Sequence, residues 1–384
     1  MYLVSGKKEE CCACSACQQI CHVDAISMKQ DEEGFLYPVK NTDICVNCGN
    51  CEKVCAFVKK YELKNPLEVK AGYIKDISQR QRSSSGGLFY VIASDIIDQG
   101  GVVVGATLTE DMQVHHKIVS TLDELETLRG SKYVQSAMED SFRIIKRLLK
   151  EGKHIYFVGT GCQVNGLKSY LRRDYENLLT SDLICHGVPS QDLFDKHIKY
   201  LEAKYKGKVI SYEFRNNRSW SVCESVVITD SHTQKRHILP PYNYNLSPFL
   251  YAFMQGLTYR SSCYACPYTR PQRSGDITLA DFWGAQQLFP TLTADYGVSM
   301  ILVNTSKGKS VLDQLKDKVT LCDSNLAVAI ANNWNLAHQT MKPLFRDSVF
   351  QMLEKKGYEY VARRYFRPRW YWLRRFKHWV KRIN

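Results

Sequence analysis

The sequence predicts an α+β chain in which a small N-terminal module precedes a larger core built on a mixed sheet. Three observations support this fold class. Eight cysteines form two equally spaced runs within the first 55 residues. From about residue 70, apolar runs of strand length alternate with segments of helical periodicity. The 384 residues are enough for two or three domains.

The N-terminal cysteines repeat the spacing C-x2-C-x2-C-x3-C. This is the ligand pattern of a bacterial ferredoxin with two 4Fe-4S clusters, in which the fourth cysteine of each run binds the other cluster. The expected ligand sets are Cys11, Cys14, Cys17 with Cys55, and Cys45, Cys48, Cys51 with Cys21. Zinc is the alternative, but its sites usually use four sulfurs in two separated pairs. Cys12 is an additional thiol that we interpret as a bystander, with a ligand exchange as the alternative.

The pattern of apolar and charged residues divides the chain into four segments. Residues 1–62 form the ferredoxin domain, 70–305 the core, 306–362 a helical extension and 363–384 a basic tail. Buried strands are predicted at 101–106, 154–158, 209–214, 226–229 and 298–303, and helices at 141–150 and 193–205. Because no G-x-G-x-x-G follows a strand, a standard dinucleotide-binding unit is not indicated.

Four further cysteines suggest a third metal site in the core. Cys162 and Cys185 each follow a predicted strand, and Cys263 and Cys266 form a C-x2-C pair. Loops after parallel strands meet at one sheet edge, where ligand sites collect. Four thiolates are enough for another cluster; zinc, or buried unreactive thiols, are the alternatives. Cys223 and Cys322 are expected to be core thiols.

Several segments together resemble a known family, the beta subunit of coenzyme F-420 hydrogenase/dehydrogenase, in the form fused to an N-terminal dicluster ferredoxin. The resemblance covers 70–305 and implies an FAD-binding flavoprotein whose own 4Fe-4S cluster would be held by the four core cysteines. The matching segments are Ser83 to Gly87, Arg129 to Ser136, Gly159 to Gln163, Cys185 to Ser190, Phe214-Arg215, Cys263 to Cys266, Gly275 to Ile277 and Asp281 to Gly284.

The resemblance also implies where FAD binds. The loop at 83–87 leads into an apolar helix whose free N–H groups can bind a pyrophosphate; outside the family it would be a flexible linker. Lys132 would contact a phosphate or the flavin ring, or else be a surface lysine. Segment 281–283 would wall the ring, or else be plain core. The expected cofactor-binding residues are Ser84, Ser85, Gly86, Gly87, Ser131, Lys132, Tyr133, Gln135, Ser136, Thr160 and Gly161.

Histidines offer one candidate for catalysis. His186, beside Cys185, would be a proton donor or flavin contact; the alternative is a structural hydrogen bond. His115 and His116 are expected to be exposed and without function.

The net charge of +13 belongs mainly to the tail. Residues 363–384 contain nine Lys or Arg and no acid, and the rest of the chain has 43 basic against 39 acidic residues, a net charge of +4. This disfavours nucleic acid as a partner of the body. Cations in the tail surround an apolar face, which fits an interfacial helix on anionic lipid; a partner protein or nucleic acid is the alternative. The apolar face comprises Trp370, Leu373, Phe376, Val380 and Ile383.

The chain has fifteen cysteines and no signal-like or membrane-spanning segment, which indicates that the protein is located in the reducing cytoplasm, with the tail at the inner face of the membrane.

The first hypothesis for the function is an oxidoreductase that passes electrons from ferredoxin-type clusters through the core cluster to FAD. Its organic acceptor would be a deazaflavin or another small or lipid-linked molecule, as in surface-polysaccharide biosynthesis. The alternatives are an electron-transfer subunit of a larger hydrogenase or dehydrogenase, and a non-enzymatic iron-sulfur protein on membrane or nucleic acid. Expected partners are a ferredoxin-like electron donor or acceptor and the organic substrate; a homo-oligomer is left open.

Overall fold

A computed structural model describes residues 1–58, 63–215, 220–230 and 233–368, and its architecture confirms the α+β fold class. The N-terminal module contains one antiparallel hairpin, β1 with β2, as the stretch between the two cysteine runs predicts. Its elements are α1 (Tyr2–Ser5), α2 (Ala16–Gln19), β1 (Ile26–Gln30), β2 (Leu36–Lys40) and α3 (Asn50–Lys53), with a 3-10 helix at Lys8–Glu10.

The core continues with helices and strands in alternation. Its first half contains β3 (Glu68–Ile74), α4 (Ile77–Gln81), α5 (Leu88–Asp98), β4 (Val102–Leu108), β5 (Val114–Val119), α6 (Leu122–Leu125), α7 (Ser141–Lys150), β6 (Ile155–Thr160), α8 (Gly161–Leu171), β7 (Leu178–Leu183) and α9 (Gln191–Tyr205). Its second half contains β8 (Gly207–Glu213), β9 (Cys223–Asp230), β10 (Arg236–Asn243), α10 (Pro248–Met254), β11 (Ile277–Asp281), α11 (Ala285–Leu288), β12 (Ser299–Val303), α12 (Ser306–Gln314), β13 (Val319–Ser324), α13 (Leu326–Asn332) and α14 (Arg346–Arg364). Further 3-10 helices lie at Glu126–Leu128, Ser261–Ala265 and Trp334–Leu336.

An eight-stranded mixed sheet organises the core, in the order β13-β3-β12-β11-β7-β6-β4-β5. The four central strands β11, β7, β6 and β4 are parallel, whereas the strands outside them pair antiparallel. Both faces of the sheet are covered, so strands such as β12 (SMILV) are buried at every position. The carboxyl ends of the central strands therefore meet at one edge.

A smaller three-stranded antiparallel sheet, in the order β10-β9-β8, packs with α9, α10 and α14 around a second apolar core. Phe366 is buried in that core, so the beginning of the predicted tail belongs to the body of the protein. Residues 369–384, which include the whole predicted apolar face of the tail, lie outside the described residues. No helix within the described ranges is long and apolar enough to cross a bilayer.

The extension at 306–362 is not purely helical as expected. It also contributes β13, which pairs antiparallel with β3 at the edge of the large sheet, with Val319 opposite Ile74. The strand was missed because it is short and only Val319 is fully buried, so its alternating pattern is weak.

The N-terminal module is docked on the core through buried polar contacts. Arg346 of α14 binds the carboxylate of Glu33 with both terminal nitrogens, one of them at 2.5 Å. Ser190 Oγ donates to the carbonyl of Glu33 at 2.9 Å, and Arg143 Nε donates to the carbonyl of Gln19 at 2.8 Å. These bidentate and backbone-directed bonds fix the orientation of the module on the core.

Candidate functional site

The parallel strands deliver three predicted site segments to one edge of the sheet. β6 runs directly into α8, which begins with Gly161 and Cys162. β7 ends just before Cys185 and His186, and β11 ends at Asp281, before Trp283. Because these strands are neighbours in parallel register, their carboxyl ends open into a common space.

The two N-terminal cysteine loops have the same backbone conformation. Ala13 and Ser15 are left-handed (φ 52° and 59°), as are Asn47 and Gly49 (φ 51° and 68°) 34 residues later. Non-glycine residues at positive φ are uncommon. Their recurrence at matching positions therefore indicates that both cysteine loops need this backbone conformation. Alternating left-handed residues turn successive N–H groups into a concave anion site that suits iron-sulfur clusters.

The first predicted ligand set is brought together. Burial raises the pKa of Cys17 well above its usual value, and the nearby thiols of Cys14, Cys11 and Cys55 raise it further. Cys55 belongs to the second run, and its influence on Cys17 is consistent with the predicted exchange of the fourth ligand. In the other set, burial raises the pKa of Cys51, with Cys45 as a minor contributor. Cys48 is exposed, and Cys21 accepts a hydrogen bond from the Ala25 amide at 3.3 Å.

The four core cysteines also converge. Burial raises the pKa of Cys185 to about 12, with contributions from Cys162 and Cys266. Burial raises that of Cys263 well above normal, and all three other thiols add to the rise. Within the described ranges, no three His, Cys, Asp or Glu side chains could hold a single metal ion. A four-iron cluster differs because each thiolate binds its own iron. Four neighbouring half-buried thiols fit such a cluster.

Cys12 has a different position from the bystander that we expected. The thiol is buried, and the neighbouring thiols of Cys14 in the first ferredoxin set and Cys162 in the core set raise its pKa well above the usual value. The Cys12 thiol is in turn the largest cause that lowers the pKa of Cys162 to about 7, and Thr160 Oγ1, 3.1 Å from the sulfur, contributes. The two ligand sets are therefore nearly in contact.

A cavity of about 440 Å³ opens beside the core cysteines. Its volume falls within the range of roughly 300–1,000 Å³ that is typical of cofactor and ligand sites. All four core cysteines line it, as do all the predicted cofactor-binding residues except Gly86. Gly86 instead packs on the sheet, where a Cβ would overlap the carbonyl oxygen of Gly72.

One end of the cavity is formed by two loops that hold each other. Gly87 caps α5 with φ 85°, a conformation that favours glycine. The Ser131 amide donates to Ser84 Oγ at 2.9 Å, and Arg129 Nη2 donates to Ser83 Oγ at 3.1 Å. This end therefore presents the N-terminus of an 11-residue helix next to cationic side chains, a suitable site for phosphate.

Lys132 lines this end without a carboxylate partner in the described structure. Its ammonium donates to the carbonyls of Arg129 (2.7 Å) and Thr127 (3.2 Å). Burial lowers the pKa of Lys132 to about 7. The side chain is half-buried, with its ammonium held by two backbone carbonyls.

Aromatic side chains surround the other end. Tyr133 stacks on Phe253 at 4.4 Å between ring centres, and His186 lies parallel to the same ring at 6.1 Å. Burial lowers the pKa of His186, and its imidazole has no hydrogen-bond partner among the described residues. The structural hydrogen bond considered for His186 is therefore absent from the part of the chain described.

Asp281 and Trp283 form the wall opposite. Arg215 donates to Asp281 at 2.5 Å, and Trp220 donates to the same carboxylate at 2.8 Å while stacking on Trp283 at 5.1 Å. Arg215 was visible in the sequence only as part of a family motif, with no role assigned.

A second cavity, of about 750 Å³, adjoins the first. Six residues line both cavities: Ser84, Arg129, Gly130, Ser131, Lys132 and Arg215.

The expectation that His116 is exposed was wrong. It is buried between Ser136 Oγ, 2.7 Å from Nδ1, and the Val158 carbonyl, 3.1 Å from Nε2. Burial lowers its pKa to about 4, so the ring is neutral. The alternation of β5 turns His116 inward and His115 outward, a periodicity that two adjacent histidines conceal in the sequence.

The cysteine sets and the adjoining cavity suit iron-sulfur clusters and redox chemistry. Residues 152–326 match the family model that describes the C terminus of the coenzyme F420 hydrogenase/dehydrogenase beta subunit. The matched residues do not include 1–62, so the fusion to a ferredoxin domain stays a prediction.

One curated relative and one solved structure extend the comparison. The chain is 23% identical over 225 residues to the F subunit of the F(420)H(2) dehydrogenase of Methanosarcina mazei, and the alignment spans 55% of this chain and 63% of the relative. A chain of the F420-reducing [NiFe] hydrogenase complex from Methanosarcina barkeri superimposes with a TM-score of 0.47 and 14% identity, covering 76% of this chain and 94% of the other.

Proposed function

We propose that this chain is an iron-sulfur flavoprotein oxidoreductase that moves electrons between three 4Fe-4S clusters, FAD and an organic acceptor. One observation carries the proposal: the four core cysteines and the residues predicted to bind FAD line the same cavity. A bound FAD would exchange single electrons with a cluster and electron pairs, as hydride, with an organic molecule.

The residues of the cavity would divide the work of binding. The α5 N-terminus and Lys132 would hold the FAD diphosphate, and the rings of Tyr133 and Trp283 would confine the flavin ring. His186, whose pKa is lowered by partial burial, would be a proton donor only after taking up a proton itself. The second cavity would admit the acceptor, since it shares a wall with the first.

Cofactor content is the direct test of the proposal. Protein purified without oxygen is expected to contain about 12 iron and 12 sulfide per chain, the sum for three clusters, and one FAD released by acid. Iron near eight with stoichiometric FAD would remove the core cluster from the proposal. Twelve iron without FAD would contradict the flavoprotein assignment.

Affinity for FAD is expected to fall as pH rises. Below pH 7 Lys132 carries a proton and attracts the diphosphate; above its pKa of about 7 the empty site is neutral, and binding must first take up a proton. We expect the affinity to fall about tenfold between pH 6 and 8, the worth of one charge-assisted hydrogen bond of about 1.5–3 kcal/mol. The measurement is FAD fluorescence quenching on flavin-depleted protein.

Three variants separate this charge effect from general pH damage. Lys132→Arg should bind FAD with little pH dependence, because arginine stays charged. Lys132→Met should bind about tenfold more weakly at pH 6. Lys117→Met, which alters a lysine outside both cavities, should behave as wild type. A pH-dependent affinity retained in Lys132→Met would exclude Lys132 as its source.

A second function is an electron-transfer subunit of a larger complex, favoured by the relative named as part of a dehydrogenase. Co-purification with a catalytic partner, and no turnover by the chain alone, would support it. The acceptor can be sought by mixing reduced protein with a deazaflavin, nucleotide sugars or lipid-linked glycans. Flavin reoxidation by a glycan alone would favour surface-polysaccharide biosynthesis.

A further inference from the structure

Arg260 is fully buried where the N-terminal module meets the core (0% exposed). Its Nε donates to the carbonyl of Cys11 at 2.6 Å, and Nη2 donates to the carbonyl of Leu36 at 2.9 Å. Nη1 donates to the Gln135 side-chain oxygen at 3.3 Å, and the guanidinium lies 3.9 Å from the centre of the Tyr37 ring. Every one of these contacts is to a neutral group.

The other buried arginines that line the site or lie at the module interface are paired with carboxylates. Arg215 pairs with Asp281, Arg273 with Asp182, and Arg346 with Glu33. For Arg260, no carboxylate lies within ion-pair distance among the described residues. An uncompensated buried charge is unfavourable, so a countercharge is expected from another group.

Two cysteine sets supply that countercharge when they hold clusters. On one side, the Arg260 guanidinium donates to the backbone carbonyl of Cys11, in the first ferredoxin set. On the other side, the Cys263 amide donates to the Arg260 carbonyl at 2.9 Å, and Arg260 lines the same cavity as the four core cysteines. Arg260 also immediately precedes the 3-10 helix that carries Cys263. The guanidinium thus lies between the first ferredoxin set and the core set.

We propose that Arg260 is a shared counter-cation for the cluster on Cys11, Cys14, Cys17 and Cys55 and the cluster on Cys162, Cys185, Cys263 and Cys266, and that it raises the reduction potentials of both. A thiolate-bound cluster is anionic and gains one further negative charge on reduction, with no bond made or broken. A fixed positive charge nearby stabilises the reduced form more than the oxidised form. The inference rests on the clusters of the proposed function but not on FAD.

The test is a redox titration of the whole cluster-loaded chain, followed by electron paramagnetic resonance with dithionite as reductant. In Arg260→Gln the midpoint potentials of these two clusters should fall by at least about 59 mV, a tenfold change in a one-electron equilibrium. The cluster assigned to Cys45, Cys48, Cys51 and Cys21 should keep its potential and so serve as an internal control. Arg260→Lys, which keeps the charge, should stay near wild type.

Two further variants guard against loss of structure. Gln135→Glu would place a carboxylate on Arg260 without removing it, and it should lower the same two potentials. Arg346→Gln combined with Glu33→Gln removes a compensated ion pair of the same interface without leaving an unpaired charge, and it should leave all potentials unchanged. Unchanged potentials in Arg260→Gln and Gln135→Glu at full iron content, or equal shifts of all three clusters, would overturn the inference. Missing FAD would refute only the flavoprotein assignment, since the potentials are read from the clusters.

Discussion

Replacement of Cys263 by serine is expected to lower the iron content from about 12 to about eight per chain. Cys263 is half-buried near the three other core thiols, each of which raises its pKa. A serine hydroxyl is a poor ligand at neutral pH because its proton is held far more tightly than that of a thiol. The core cluster should therefore be lost while the two N-terminal clusters remain.

The measurement combines iron analysis with the paramagnetic spectrum of the reduced protein. Electron transfer from the N-terminal clusters to the flavin should slow at least tenfold, because the intermediate carrier is missing. Cys322→Ser is the matched control: its thiol lies on β13, away from the cavity. Twelve iron retained in Cys263→Ser would mean that Cys263 does not bind a cluster.

Gly166→Ala is expected to destabilise the protein, although alanine normally strengthens a helix. In α8 a Cβ at this position would lie 2.8 Å from Cys14 Cβ and 2.9 Å from its sulfur. The propensity gain is about 0.5–1 kcal/mol, whereas overpacking costs roughly 1–3 kcal/mol. The cost of the overlap should therefore exceed the gain in helix propensity, and the N-terminal module should be displaced from the core.

Thermal unfolding of the cluster-loaded chain measures this directly, and Gly166→Leu should have a larger effect in the same direction. Gly105→Ala provides a control, because its Cβ would make only an ordinary contact of 3.5 Å with Leu128. If Gly166→Ala raised the melting temperature, the close approach of Cys14 to α8 would be wrong.

Periodicity was sufficient for much of the fold. The runs at 101–106, 154–158 and 298–303 are buried strands of the large sheet, and the helix expected at 141–150 has those bounds. These segments have strong patterns because both faces of the sheet, or one clear helix face, are covered. β13 was missed because this edge strand buries only Val319, and β5 was missed because two adjacent histidines conceal its alternation.

The site was predictable where spacing or family motifs fix it, and not where it depends on docking. The cysteine runs and the loop at 83–87 are continuous in sequence. Cys12 and Arg260 gain their positions only when the N-terminal module packs on the core, with Arg260 contacting a residue 249 positions away. The sequence pattern of a single segment does not indicate such a long-range contact.

The 34-residue repeat of the cysteine loops leaves two similar sites in unlike surroundings. Around the first loop, Cys12 and Cys14 are buried against the core. Around the second, Cys48 is exposed, as are the apolar side chains of Ile44 and Val46. Solvent exposure governs how readily dioxygen reaches a cluster and its thiolates. Air should therefore damage the exposed second site before the buried first site. The protein would then lose electron exchange with external carriers before it loses electron transfer within the chain.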